Sequence, residues 1–470
     1  MVAVIWFRRD LRIQDNKALK HAIDSGGPLL AVFHLNPKQL RDVATVSQSA
    51  FIQSLQHFRR TLDEKGIFLH VIFGELQYCF EHLQQALPDW TDVYFNYDDA
   101  GFGRKRDQEA THFFREKGIA IHAYQDHYLH GSQEVINQAS LPYKVFTPYY
   151  KKWSQLPKET PIVIDYSQVD WLFVPNAKTV DSKLNTLFRP LPYHKPGEEA
   201  ALERLHLFIE EGLEAYDVSR DYPEYDGTSR LSVYLRTGEI NIRTVYAAIS
   251  KAKASKGKAV FIKELVWREF YHMIYVNHPH QKQESLQAQF VAIEWENDQA
   301  LFEQWKAGTT GYPMVDAAMR QLSQTGWMHN RLRMIVASFL VKDLLIDWRW
   351  GEEYFQEALM DYDSASNIGG WQWAASTGTD AVPYFRIFNP TTQAKRFDPK
   401  GHFIKTYVPQ LEALPLKWLY EPWKLPLDLQ DDLGFKPERD YPLPIVSHDI
   451  QRKKAIAKYE WAKEVYQTKQ

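Results

Sequence analysis

A chain of 470 residues, 44% of them hydrophobic, is long enough for roughly two or three domains with sizeable cores. Its net charge of −3 excludes a global basic field, so any nucleic-acid contact must use a local patch. A single cysteine, Cys79, excludes an intrachain disulfide and a cysteine zinc cluster, and no apolar run reaches the ~18 residues of a membrane helix. The short apolar run at residues 2–7 is followed, not preceded, by its charges, unlike a signal peptide. A soluble, cytoplasmic protein is expected, with Cys79 as a small core residue.

Residues 2–7 (VAVIWF) read as a buried parallel strand, and further strand signals follow at 28–35, 67–73, 92–95 and 119–123. Between them lie helical stretches. One spans 47–65, with Phe51, Leu55, Phe58 and Leu62 on one face and Gly66 as its stop; another spans 104–117. This alternation predicts an α/β doubly wound parallel sheet, which places ligands at the carboxyl ends of its strands. Gly101-Phe102-Gly103 lacks the third glycine of a dinucleotide fingerprint, since position 106 is Arg.

From 155 to 197 prolines punctuate a stretch without period, and Trp171, Leu172 and Phe173 are expected to anchor it. After 198 the pattern is helical. Leu202, Leu205, Phe208, Ile209, Leu213 and Tyr216 form one stripe, with others at 260–276, 314–322 and 327–345 and a polar terminal helix at 449–470. The expected organisation is an α/β domain over 1–130, a connector over 131–197 and an all-α domain over 198–470.

Five constellations could carry chemistry. Residues 227–232 (GTSRLS) open a helix with hydroxyls and Arg230, either as a plain N-cap or as an anion site suited to a pyrophosphate. Glu264, Trp267 and Tyr271 share a helical face, where burial between aromatics would keep a carboxyl protonated; a surface Glu is the alternative. Residues 327–334 (WMHNRLRM) read as helix, with Asn330 and Met334 on one face and Arg333 free to pair with a carboxylate; His329 has no partner at metal-ligand spacing. Residues 361–378 combine Asp361, Asp363, Asn367, Gly369-Gly370, Trp371 and Trp373, a composition for close packing against something planar or for a core helix. Residues 384–405 carry five basic residues against one acid, interleaved with Tyr384, Phe385, Phe388, Phe397 and Phe403, as phosphate contact plus base stacking would need. No P-loop and no Ser-His-Asp or metal spacing is readable.

Together the blocks WFRRDLRIQDN, YKVFTPYYKKW, GTSRLS, ELVWREFY, TGYPMVDAAMRQL, GWMHNRLRMIVASFLVKDLLIDW, GGWQWAASTGTD and RIFNPTTQAKRFD closely resemble the photolyase/cryptochrome family over nearly the whole chain. The chain looks most like the class I enzymes that repair cyclobutane pyrimidine dimers. The resemblance implies an α/β antenna domain followed by an all-α domain holding a bent FAD. It assigns Tyr216, Thr228, Ser229, Arg230, Leu231 and Ser232 to FAD. Asp361, paired with Arg333, and Asp363 would flank the flavin, and Asn367 would face flavin N5. It implies an electron relay through Trp371, Trp348 and Trp295. It also implies a lesion pocket of Arg220, Glu264, Trp267, Tyr271, Asn330, Arg331, Met334, Trp373 and Gln393. Glu264, as a neutral acid, would stabilise the charge developing on the dimer.

The implied partner is UV-damaged DNA bound by a monomer. A second chromophore, whether deazaflavin, flavin or folate, is left open. Phe261 stands where close relatives carry Trp. Gly103 and Gln283 replace the acidic residue and the Lys that hold a folate. A cryptochrome-like light receptor is the runner-up, disfavoured by the lack of a long tail and by the intact lesion residues. A (6-4) photolyase would carry two His where Asn330 and Met334 stand.

Overall fold

The structure is a computed structural model describing residues 2–41, 43–175, 184, 187 and 189–469. Strand β1 (Val2–Phe7) is apolar throughout because both its faces are covered. Phe7 packs on Phe58 at 5.1 Å on one side, and Trp6 on Phe80 at 5.0 Å on the other. With β2 (Leu29–Leu35), β3 (Leu69–Phe73), β4 (Trp90–Asn96) and β5 (Ala120–Tyr124) it forms a wholly parallel sheet in the order β3-β2-β1-β4-β5. Helices α1 (Lys17–Asp24) and α2 (Val46–Glu64) share one core with Ile5 and Phe7. Helices α3 (Leu76–Ala86) and α4 (Gly101–Glu116) share the other with Val4 and Trp6. The doubly wound expectation therefore holds. The sheet grows to one side through β2 and β3, then to the other through β4 and β5, so its switch point lies between β1 and β4. Gly101-Phe102-Gly103 is the first turn of α4, which begins three residues before the sequence pattern indicated.

Part of the expected connector (176–183, 185, 186 and 188) lies outside the described residues. Trp171 bridges to Leu29 of β2, and Leu172 belongs to the sheet core, so both anchor as expected. Phe173 stays 60% exposed, edge-on to Phe68 at 4.8 Å.

The second half is helical. It comprises α5 (Phe146–Gln155), α6 (Glu198–Leu207), α7 (Ser232–Thr237), α8 (Ile242–Lys251), α9 (Lys256–Asn277), α10 (Pro313–Thr325), α11 (Asn330–Ser338), α12 (Trp348–Ala358), α13 (Ser364–Ala374), α14 (Pro390–Phe397) and α15 (His448–Thr468), with the further helix Gln299–Ala307 and short helical segments between them. One core gathers residues of α5, α8 and α9, and another those of α10 to α14. Trp327, Met328 and His329 lie outside the helix expected over 327–334. The His329 ring accepts the Arg331 N–H at 3.2 Å and caps α11, so the helix starts at Asn330.

The two halves meet through buried charge. Arg12 and Arg243 both pair with Asp126, and Arg243 also reaches Asp15 at 2.8 Å. Arg12 donates to the Gly238 carbonyl at 2.9 Å. Gly238 ends α7 with φ 76° and lies so close to the Arg9 carbonyl that a Cβ would collide with it. No helix among the described residues is long and apolar enough to cross a membrane.

Candidate functional site

Two cavities share a wall made of Tyr362 and Asp363. The larger, about 500 Å³, is enclosed by the loop into α7 and by α9, α11 and α13. Tyr216, Thr228 to Ser232, Arg333, Asp361, Asp363 and Asn367 line it, and so do Arg220, Glu264, Trp267, Tyr271, Asn330, Met334, Trp371 and Trp373. Positions 216 to 373 thus converge on one concavity within the range of about 300–1,000 Å³ usual for small-molecule and cofactor sites.

Local chemistry explains each placement. Arg204 of α6, which no sequence pattern marked, pins the 226–229 loop by donating to the Thr228 and Ser229 carbonyls at 2.6 and 2.9 Å. Asp361 is fully engaged: Arg333 donates to its two oxygens at 3.0 and 2.8 Å, and Ser232 Oγ donates at 2.7 Å. Ser232 can therefore only accept from a ligand, whereas Ser229 Oγ, which accepts the Leu231 N–H at 3.3 Å, keeps its own proton to donate. Helix α7 spans six residues, so the anion-binding character of this loop rests on side chains more than on a helix dipole. Asp363 caps α13 by accepting the Ser366 N–H at 2.9 Å. Burial disfavours the Asp363 carboxylate, but Arg268 and Arg9 outweigh it and hold it below the usual carboxylate range.

Trp267 lies flat on Phe146 at 3.8 Å with planes 4° apart, which leaves its other face to the cavity. Glu264 is not enclosed between apolar rings, the first of the two readings its pattern allowed, but lies nearer the alternative of a surface Glu. It is about one-third exposed and accepts a 2.6 Å hydrogen bond from Arg220 Nη1. Forty-four residues separate that pair, which no local pattern could reveal. Arg331 and Gln393 do not line the cavity. Arg331 pairs with Asp221 at 2.6 Å and lies over Phe397 at 4.4 Å.

The two glycines of α13 separate. Gly369 is covered by the Tyr271 ring, which a Cβ would strike, so its smallness serves packing inside the protein. Gly370 faces open space on the cavity. The expectation that both admit a planar ligand is corrected to Gly370 alone.

Trp371 lines the cavity at 2% exposure, and its ring occupies the space beside Gly351 of α12. Trp348, one turn earlier on α12, is fully buried, with the Arg349 guanidinium 4.8 Å from its ring. Trp295 is half-buried and meets Tyr459 edge-on at 6.3 Å. In the basic strip, Lys395 and Arg396 are exposed, but Phe397 and Phe403 are core residues. Of the interleaved phenylalanines Phe385, 57% exposed and edge-on to Tyr384 at 5.5 Å, is the most open, and with Phe397 and Phe403 in the core stacking by the whole set is excluded.

The second cavity, about 350 Å³, opens at the carboxyl ends of β1, β2 and β4 and is closed by Arg236, His272, Tyr275 and the 362–365 segment. His272 meets Asp99 at 2.6 Å and stacks on Tyr128 at 3.8 Å. Gly103 lies under Asp98 with no room for a Cβ, while Gln283 does not line this cavity.

Residues 3–163 match the family model described as DNA photolyase, and residues 261–461 that of the FAD binding domain of DNA photolyase. A deoxyribodipyrimidine photo-lyase of Alkalihalophilus pseudofirmus is 46% identical over 466 residues, 96% of each chain. The chain belongs to the DNA photolyase family. Within that family, a bacterial class III photolyase from Agrobacterium tumefaciens superposes with a TM-score of 0.92 at 34% identity, covering 98% of both chains. An archaeal photolyase from Sulfolobus tokodaii, described with two FAD molecules, superposes with a TM-score of 0.84 at 32% identity, covering 98% of this chain and 100% of that one. The photolyase fold and an FAD-binding domain are thus shown for this chain, and its curated relatives are enzymes.

Proposed function

We propose that this member of the family is a light-driven repair enzyme for cyclobutane pyrimidine dimers. One observation carries the reading: a single cavity is lined both by the residues expected to hold FAD and by those expected to grip the lesion. Cofactor and substrate would then touch without intervening chain.

The donor set fits FAD. Ser229 offers a hydroxyl proton, Arg230 and Arg333 supply positive charge, and Gly370 leaves the space a flat ring needs. When bound and reduced, FAD supplies on blue-light absorption one electron that opens the cyclobutane ring and then returns, so no net oxidation occurs. The chain's own residues do the rest. The exposed Lys395 and Arg396 hold the DNA backbone, and a damaged pair costs least to flip out of the duplex. Trp267, braced from behind by Phe146, and Trp373 sandwich the flipped bases. Glu264 and Arg220 then face the pyrimidine carbonyls, and their ion pair must open for Glu264 to reach them. Trp371, Trp348 and Trp295 carry electrons inward from the surface to recharge the flavin.

The second cavity, at the sheet's switch point, would take a second light-gathering chromophore, in keeping with the second FAD of the archaeal relative. Asn330 and Met334 in the first cavity argue against (6-4) lesions, whose repair would call for histidines there.

The test is the purified protein and its Trp371→Phe variant. The wild type should show flavin absorption and photoreduce with an added thiol. The variant should bind flavin but fail to photoreduce, while repairing dimers normally once reduced chemically. A colourless protein would contradict the reading. A photoreducible protein that repairs no dimer would move it to a cryptochrome-like receptor.

A further inference from the structure

Behind the first cavity lies a carboxylate that touches no part of it. Glu352 of α12 is 2% exposed. Asn367 Nδ2 donates to the Glu352 backbone carbonyl at 3.2 Å and to its Oε1 at 3.1 Å. Tyr362 donates its hydroxyl to the same Oε1 at 3.0 Å, and Lys282 Nζ stands 3.8 Å from Oε2 while bonding Gln356 at 2.9 Å. Burial and the nearby Glu352 carboxylate raise the Tyr362 phenol, so it remains a donor.

The orientation of the Asn367 amide follows from chemistry. A backbone carbonyl and a carboxylate offer only acceptors, so the NH2 group must face Glu352 and both its protons are used there. The reverse orientation would set an amide oxygen against two oxygens with no proton between them, a repulsion inside a buried site. Asn367 Oδ1, with no donor among the described residues, is the atom left for the cavity that Asn367 lines.

We infer that Glu352 is a positioning residue that locks Asn367 with its acceptor toward the cofactor, and that the preference for a reduced or semiquinone flavin expected of Asn367 from the family resemblance depends on this lock. The inference rests on the FAD reading of the cavity. An oxidised flavin has a bare acceptor at N5 and would meet Oδ1 as a repulsion, whereas a reduced flavin has N5–H and would donate to it. The two states are thereby separated by a group the flavin never contacts.

Two effects of removing Glu352 oppose each other. Loss of the negative charge favours reduced flavin, and loss of the lock disfavours it. Glu352→Gln removes the charge but keeps an oxygen acceptor for Asn367 and Tyr362; Glu352→Leu removes both. The experiment is a potentiometric titration of the flavin-loaded full chain in wild type and both variants, with flavin content recorded alongside. The expected result is a Glu352→Leu protein whose preference for reduced flavin is about tenfold below that of Glu352→Gln, a midpoint about 30 mV lower for the two-electron couple. Flavin content should match in all three, and Glu352→Gln should lie at or above wild type. Equal potentials in the two variants would overturn the inference and leave Glu352 a charge only. If Glu352→Leu does not fold, Glu352→Met, which keeps the side-chain volume but offers no oxygen acceptor, is read in its place against Glu352→Gln with the same expected difference of about tenfold, and equal potentials would again overturn the inference. A wild-type chain that binds no flavin would overturn the FAD reading itself.

Discussion

The His329 ring serves both as a helix cap and as a buried base. Its Nδ1 accepts the Arg331 N–H, and burial, reinforced by Arg331 and Arg333, lowers its pKa to about 4. The unfolded chain titrates this group near ~6.5. Between the two values the unfolded state binds more protons, so the His329 contribution to stability is lost as pH falls from about 6.5 toward 4. The loss amounts to about 2 kcal/mol at pH ~5 relative to pH ~8, an order-of-magnitude figure. His329→Asn keeps a capping acceptor and removes the titration. Urea unfolding should show the variant losing about 2 kcal/mol less than wild type over that pH span. His34 and His194, also lowered to about 4 by burial, are common to both proteins and cancel from the difference. Identical pH dependence would contradict the burial argument. The cap illustrates what spacing hides: the periodic stripe ran through 327–345, and only a side chain folding back onto its own backbone sets where α11 starts.

Helix α13 divides its work between neighbouring residues. Gly369 meets Tyr271 and Gly370 meets the cavity because successive helix positions differ by about 100°. Gly369→Ala should therefore cost about 1–3 kcal/mol through overpacking against Tyr271, read as a lower Tm of the flavin-free protein. Gly370→Ala should leave that Tm unchanged or raise it, since Ala is favoured over Gly in a helix by up to about 1 kcal/mol, yet should weaken flavin binding in a fluorescence titration. Unimpaired flavin binding by Gly370→Ala would show that the ring does not approach there. The sequence made this helix conspicuous through its glycines and indoles but could not say which glycine faced outward. The same holds for the basic strip: Phe397 and Phe403 looked like stacking rings until α14 turned them into the core. Continuous apolar runs and helical stripes were readable because burial leaves a period. Arg220–Glu264 and Asn367–Glu352 were not, because their partners are set by the fold and not by neighbouring sequence.

The whole molecule is organised so that two binding spaces abut. The α/β half offers the open ends of β1, β2 and β4, and the helical half offers the larger cavity, with Tyr362 and Asp363 between them. Arg9 from the end of β1 reaches the Asp363 carboxylate at 4.0 Å, and Arg268 supports the same carboxylate from α9. The buried Arg12, Arg243, Asp15 and Asp126 network fixes the halves against each other, as two cooperating chromophores would require. The doubly wound sheet, the helical second half and the family were all legible beforehand; the shared wall was not, since Asp363 is met there by Arg9 from the far end of the chain. Light absorbed in this assembly is expected to split a pyrimidine dimer. The most direct test gives the reduced, flavin-loaded protein an oligonucleotide with one cyclobutane thymine dimer, under blue light and in darkness, and counts restored thymines by chromatography. The expected result is conversion of the dimer to two thymines in light only, over many turnovers and without consumption of reductant. Repair in the dark, or an intact dimer after illumination of protein with reduced FAD bound, would contradict it.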